Sequence, residues 1–267
     1  MRTLIVGFVT VIVPLIVTAH DNWVETNTSL VRLGDLVHVD LKLGNHGNDH
    51  RDFKLSGKVS LESGQISVIN PTGESFDLKS HLVETGLSTK EGYWTGRYTT
   101  TQPGLHVVTS TSDGVRGTTR SIKNAKTYFL ASEKLDDVPV VTKGFNKPLE
   151  HALELVPVTN PVTALGPGQP ITVKVLLNSR PLKAARVSFI PRGAILAEGF
   201  DKNFEDETDA DGIAKFTPKE GNVVLVVVHH VAADQKGDGY SDTKYSATLT
   251  VIVPQLPQNS IKALTAQ

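Results

Sequence analysis

"DLVHVDLKLG", residues Asp35 to Gly44, carries the reading of the fold. Val37, Val39, Leu41 and Leu43 alternate with His38, Asp40 and Lys42. A period of two over this length is that of a strand with one buried face, because successive side chains leave a strand on opposite sides. Outward from this stretch the pattern recurs in "KVSLES", "QISVIN", "YWTGRYTT", "LHVVTSTS" and "KTYFLAS". Between these runs lie turn-forming clusters such as Asn70-Pro71-Thr72-Gly73 and Pro103-Gly104. A second set begins at "ALELVPV" (Ala152 to Val158) and continues through "ITVKVLLNSRPLKAARVSFIP", "IAKFTPKEG", "NVVLVVVHHVA" and "YSATLTVIVP". "LLNSRPLKAARVSFI" reads as two strands around a polar turn at Asn178-Ser179-Arg180, and the unbroken apolar run "NVVLVVVHH" as a strand buried on both faces. No long amphipathic helix is evident.

Short strands at this spacing predict an all-β chain made of two tandem immunoglobulin-like β-sandwich domains. The first is expected over residues 20–135 and the second over 151–255. Residues 136–150, which mix charges with Pro and Gly and have no period, read as a linker. Residues 256–267 read as a loosely ordered tail.

The first 19 residues have the pattern of a signal peptide. Met1-Arg2 gives a positive start, and Leu4 to Val17 is uncharged, with Pro14 inside it. That run is shorter than the roughly 18 residues a spanning helix needs. Val17 and Ala19 occupy the −3 and −1 positions of a small-residue cleavage site. Cleavage after Ala19 would make the mature chain periplasmic or secreted, with His20 as its first residue and no transmembrane segment. An uncleaved N-terminal anchor is the alternative.

The formal net charge is −1 and no dense Lys/Arg run occurs, which argues against a nucleic-acid partner. With no cysteine, an exported chain owes nothing to disulfides and has no thiolate to offer a metal. Any bound metal must be held by imidazole and carboxylate. The chain lacks a G-x-S-x-G elbow, an H-E-x-x-H helix and a Gly-rich phosphate loop, so it is not read as an enzyme.

The histidines carry the candidate chemistry. A free N-terminal amine has a pKa of about 7.7–8.0 and gives up its proton to a metal readily. With His20 as the first residue, its amine and its imidazole would close one chelate ring, and a third nitrogen from another histidine would complete a set suited to copper. This resembles the chemistry, not the fold, of exported copper proteins with a terminal-histidine brace. "GNHGNDH" (Gly44 to His50) follows a strand and offers His46 and His50; alone it reads as a solvated hairpin tip, and paired with His20 it becomes the natural source of a second ligand. In "VHHV", His229 and His230 are neighbours on a strand and leave it on opposite faces. His38 and His106 read as outward-facing structural residues, and His81 and His151 lie in stretches that read as exposed. The acidic stretches Asp201 to Gly212 and Asp234 to Asp242 lack the EF-hand spacing. "TDADG" reads instead as a tight turn with Gly212 at positive φ.

"AHDNWVE", "LELVPVTNP", "RPLKAARVSF", "TDADGIAKF" and "YSATLTV", in that order, resemble a bacterial periplasmic family of unknown function. Its members were once labelled the substrate-specific component of nickel uptake, or the periplasmic component of cobalt transport. The "TDADG" turn is also similar to those of carboxypeptidase-regulatory-like sandwiches, which bears on the second domain. Members of the family begin their mature chain with His-Asp and an aromatic. His20, Asp21 and Trp23 match that pattern, with Asn22 intervening. Where members carry Gly-His-His, this chain has Gly44-Asn45-His46. The resemblance implies a two-domain exported β protein with a transition-metal role.

The resulting expectation is a metal-handling protein that binds divalent nickel, cobalt or copper through His20, His46 and one of His50, His229 or His230. It would pass the ion to, or withhold it from, a membrane metal transporter. The family label favours nickel or cobalt, and terminal-histidine chemistry favours copper. The competing expectation is an adhesion or scaffold module with no metal, since a fold alone never implies a function.

Overall fold

The computed structural model describes residues 20–44, 61–86, 92–139 and 143–256. Among them the chain is all-β, with a single 3₁₀ turn at Lys79–His81. The first half supplies β1 (Asp21–Thr26), β2 (Leu30–Arg32), β3 (Leu36–Gly44), β4 (Gly64–Ile69) and β5 (Ser75–Asp77). It continues with β6 (Val83–Glu84), β7 (Trp94–Thr99), β8 (Gly104–Arg116) and β9 (Thr119–Ser132). The second half supplies β10 (Leu153–Pro157), β11 (Ile171–Leu177), β12 (Arg180–Pro181) and β13 (Arg186–Pro191). After these come β14 (Glu205–Glu207), β15 (Ile213–Phe216), β16 (Asn222–Ala232) and β17 (Asp242–Val253).

The strand read from Asp35–Gly44 is β3. Val37, Val39, Leu41 and Leu43 are buried and His38 is exposed, as the alternation requires. It pairs with β1 and β7 in a four-stranded sheet of order β1-β3-β7-β6. A second outer sheet has the order β10-β11-β12, with β15 also paired to β11. Asn178 and Ser179, both at positive φ, make the two-residue turn between β11 and β12. The expected turn at "TDADG" is also present. Asp209 accepts the amides of Asp211 and Ile213, and Gly212 has φ 77°. A Cβ on Gly212 would lie 2.7 Å from the Val175 carbonyl oxygen, so only glycine fits.

Between the outer sheets runs a nine-stranded sheet, β14-β13-β16-β17-β9-β8-β4-β5, with β2 also paired to β9. It draws strands from both halves, joined where β17 runs parallel to β9 from Asp242↔Thr119 to Thr250↔Thr127. Alternation along a strand reports which face is covered and not which strand lies alongside, so this joint is invisible in the period-two pattern.

β9 therefore serves two cores. Ala125, Phe129 and Ala131 pack with Val24, Val37, Val39, Ile66 and Val108. Tyr128 and Leu130, on the opposite face, pack with Leu155, Val173, Val187, Val226 and Leu249. His106 corrects the outward-facing reading. It is fully buried, its ring stacked on Phe129 at 4.6 Å, with Nδ1 3.0 Å from the Gly104 carbonyl. Burial lowers its pKa, partly offset by that carbonyl. His151 is likewise only half-exposed, with a buried Nδ1.

On the second-core side of β9, Lys126 meets Glu154 of β10 at 2.7 Å, and both side chains are almost fully buried. Glu154 also accepts the amides of Leu149 and His151, tying down the chain that enters β10. Burial lowers the Lys126 pKa, opposed by the Glu154 charge. Removing one partner leaves an uncompensated buried charge. Lys126→Met is expected to destabilise the protein by about 3–5 kcal/mol in urea unfolding. A loss below about 1 kcal/mol, the scale of an exposed pair, would show that the ion pair does not hold β9 to β10.

Candidate functional site

β1 is covered on both faces. Val24 belongs to the first core, while Trp23, on the opposite face, packs with Leu225 and Val227 of β16. Its register against β3 runs from Asp21↔Gly44 to Thr26↔Val39. At its start, three successive residues are held by three different strands of the central sheet. The His20 carbonyl accepts from Lys123 Nζ of β9. The Asp21 carboxylate meets His229 Nε2 of β16 at 2.8 Å. The Asn22 carbonyl accepts from Thr248 Oγ1 of β17 at 2.8 Å. Further along, Trp23 Nε1 donates to Glu25, whose other carboxylate oxygen binds Lys42 at 2.7 Å and Arg192 at 2.6 Å.

The electrostatics follow from burial. Asp21 is 1% exposed, while the His229 side chain keeps 48% of its surface. Partial desolvation pulls the His229 pKa down, and the Asp21 charge and hydrogen bond more than offset it, so the value is raised. Burial lowers the Lys123 pKa, with Asp21 opposing. For Glu25, desolvation is outweighed by Lys42 and Arg192, and the carboxyl is held below its usual range.

Of the residues singled out in the sequence, His229 is held by Asp21, the chain neighbour of His20, whose own carbonyl is bound by Lys123. His230 leaves β16 on the other face, that of Val226 and Val228, with its ring 6.2 Å from that of Tyr245. His46 and His50 lie outside the described residues. Gly44, two residues before His46, is paired with Asp21. Among the described residues, no group of three or more His, Cys, Asp or Glu side chains forms a ready metal cluster. The acidic stretch from Asp201 uses its carboxylates internally. Asp201 accepts the amides of Ala197 and Asn203, which lower its pKa, and Glu205 binds Arg186 and Ser188.

Asp21, named in the sequence only as part of the family's opening pattern, and Lys123 were not read as site residues. The signal for Asp21 was present: Trp23 and Val24 are apolar on opposite faces of one short strand, so both faces are covered and a carboxylate beside them needs a partner. Lys123 lies in a polar part of β9 and carries no such sign.

Over residues 17–232 the chain matches the model of a family described as "Domain of unknown function (DUF4198)", and it belongs to that family. No curated protein matches it. Among solved structures, it is similar to the Yersinia pseudotuberculosis adhesin InvE at 13% identity and TM-score 0.20. That alignment covers 88% of this chain and 58% of the adhesin's, so the chain spans little more than half of that relative. Murine CEACAM1b aligns at 12% identity and TM-score 0.22, covering 88% and 99% of the two chains. A Salmonella alpha-2-macroglobulin reacted with methylamine aligns at 12% identity and TM-score 0.26, covering 88% and 15%. Scores at this level carry no inference about the chain. No helix among the described residues is long and apolar enough to cross a membrane.

The Asp21–His229 pair sets a pH dependence with a definite sign. A raised folded-state pKa means that the protonated pair adds stability below the unfolded value of about 6.5, and that this is lost as pH rises through the folded value. In an NMR titration of metal-free protein, Asp21→Asn should lower the His229 pKa. An unaltered His229 titration would remove the ion pair from the account.

Proposed function

We propose that the chain is an exported, non-catalytic metal-handling protein. Residues 1–19 form a cleaved signal peptide, and the mature protein binds a divalent transition ion at its first residue. The ligands are the amine and imidazole of His20, the His229 imidazole, and a histidine from the segment that leaves Gly44, with His46 two residues away. The observation that carries the reading is the Asp21–His229 bond. A carboxylate that accepts from Nε2 fixes the tautomer and leaves Nδ1 as the lone-pair nitrogen, as carboxylates do behind metal-ligating histidines. The proton that Asp21 favours on Nδ1 must leave when a metal binds, so affinity should fall as pH is lowered. His230, on the other face of β16, takes no part.

Copper heads the affinity order for such nitrogen ligands. Nickel and cobalt, the ions of the family's older label, bind the same donors more weakly. In the periplasm the protein would hand its ion to, or keep it from, a membrane metal transporter.

Two measurements test this. N-terminal sequencing of the secreted form should begin at His20, and any other start removes the terminal chelate. Placing one glycine before His20 keeps every imidazole and displaces the amine. Copper affinity should then fall at least tenfold, about 1.4 kcal/mol. An extended protein that binds copper, nickel and cobalt as the mature one does would overturn the proposal.

A further inference from the structure

A cleft of about 1030 Å³ opens in the second half between the β13–β14 connection, β15 and the start of β16. Its floor is aromatic. Phe204 and Phe216, both partly exposed and with centroids 6.1 Å apart, form its surface, and the fully buried Phe189 stacks beneath Phe216 at 5.5 Å. Its rim is cationic, with Lys202, Lys215 and Lys219 lining it and exposed. No ion pair engages these three ammonium groups among the described residues. The acidic neighbours are already committed. Glu205 binds Arg186 and Ser188, and Asp206 accepts the Lys215 amide. Asp206, whose partner there is a neutral amide, and Glu220 oppose the three lysines, which leaves the rim with an excess of positive charge.

The shape of the occupant follows from the backbone. An open strand edge would invite an added peptide strand, but the β15 amides of Ile213 and Lys215 are taken by Asp209 and Asp206. Recognition must run through side chains. A cleft of this size with an apolar floor and a few convergent charges is the form of a small-molecule site. We propose that it binds an amphiphilic organic anion, its ring or short acyl body on the phenylalanines and its carboxylate, sulfonate or phosphate among the lysines. The cleft is distinct from the Asp21–His229 pair, because Trp23 covers the opposite face of β16 from Val224, which lines the cleft; Arg192, also in its lining, is held by Glu25 of β1.

The probe is 8-anilinonaphthalene-1-sulfonate, followed by fluorescence titration of the native protein. One saturable site is expected. Lys202→Gln/Lys215→Gln/Lys219→Gln, whose changes are all at exposed positions, should keep the wild-type circular dichroism and lose at least tenfold in affinity. Lys236→Gln, away from the cleft, should bind as wild type does. Uncharged N-phenyl-1-naphthylamine should bind at least tenfold more weakly than the sulfonate. Binding that does not saturate, survives the triple substitution or is matched by the neutral dye would overturn the proposal. So would a tenfold gain on removing residues 257–267, which would make the chain's own tail the occupant.

Discussion

One strand, β9, is covered on both faces and paired along both edges, and every other layer takes its position from it. β8 runs along one edge, and β17 and β2 along the other. From Asn124 to Ser132 no residue reaches solvent appreciably. Alternate side chains enter alternate cores, so a shift of one residue would exchange Phe129 for Leu130 and place Lys126 in the wrong layer. The Lys126–Glu154 pair penalises that slip, because a buried ammonium without its carboxylate is costly. The parallel pairing with β17 joins residues more than 100 apart in sequence, a contact whose loop closure is slow to form.

The same central sheet organises the candidate site. β1 lies across it and presents Asp21, Trp23 and Glu25 to the second half of the chain while Val24 faces the first core. Three consecutive anchors at His20, Asp21 and Asn22 leave the start of β1 little freedom. A chelating residue benefits from such a mount, since a ligand already positioned loses less entropy on binding. The raised His229 pKa makes that mount sensitive to pH, and under the proposed metal binding it would couple uptake of the ion to proton release.

Much of the architecture was legible residue by residue. β3 was readable because it is covered on one face only, and Gly212 because Asp-Gly in that context demands positive φ. The buried run Val224–Val228 was readable from its lack of any polar residue. What escaped reading was pairing and partnership. His106 alternates with apolar neighbours like an outward residue, yet it is buried, its ring stacked on Phe129 and its Nδ1 bonded to Gly104 while Nε2 has no hydrogen-bond partner among the described residues. The Asp21–His229 contact spans 208 positions, and no local pattern encodes a partner at that distance. The acidic stretch from Asp201 resembles a cation loop until its carboxylates are seen to accept backbone amides.

In the proposed site, nitrogen from the mature terminus and from other histidines meets at one ion beside Asp21. Pulsed electron paramagnetic resonance of the copper-loaded mature protein reads this directly, because the remote nitrogen of each coordinated imidazole modulates the spin echo. The account predicts modulation from two or more imidazoles, losing one in His229→Ala. A spectrum with one coordinated imidazole or none, or one untouched by His229→Ala, would contradict it.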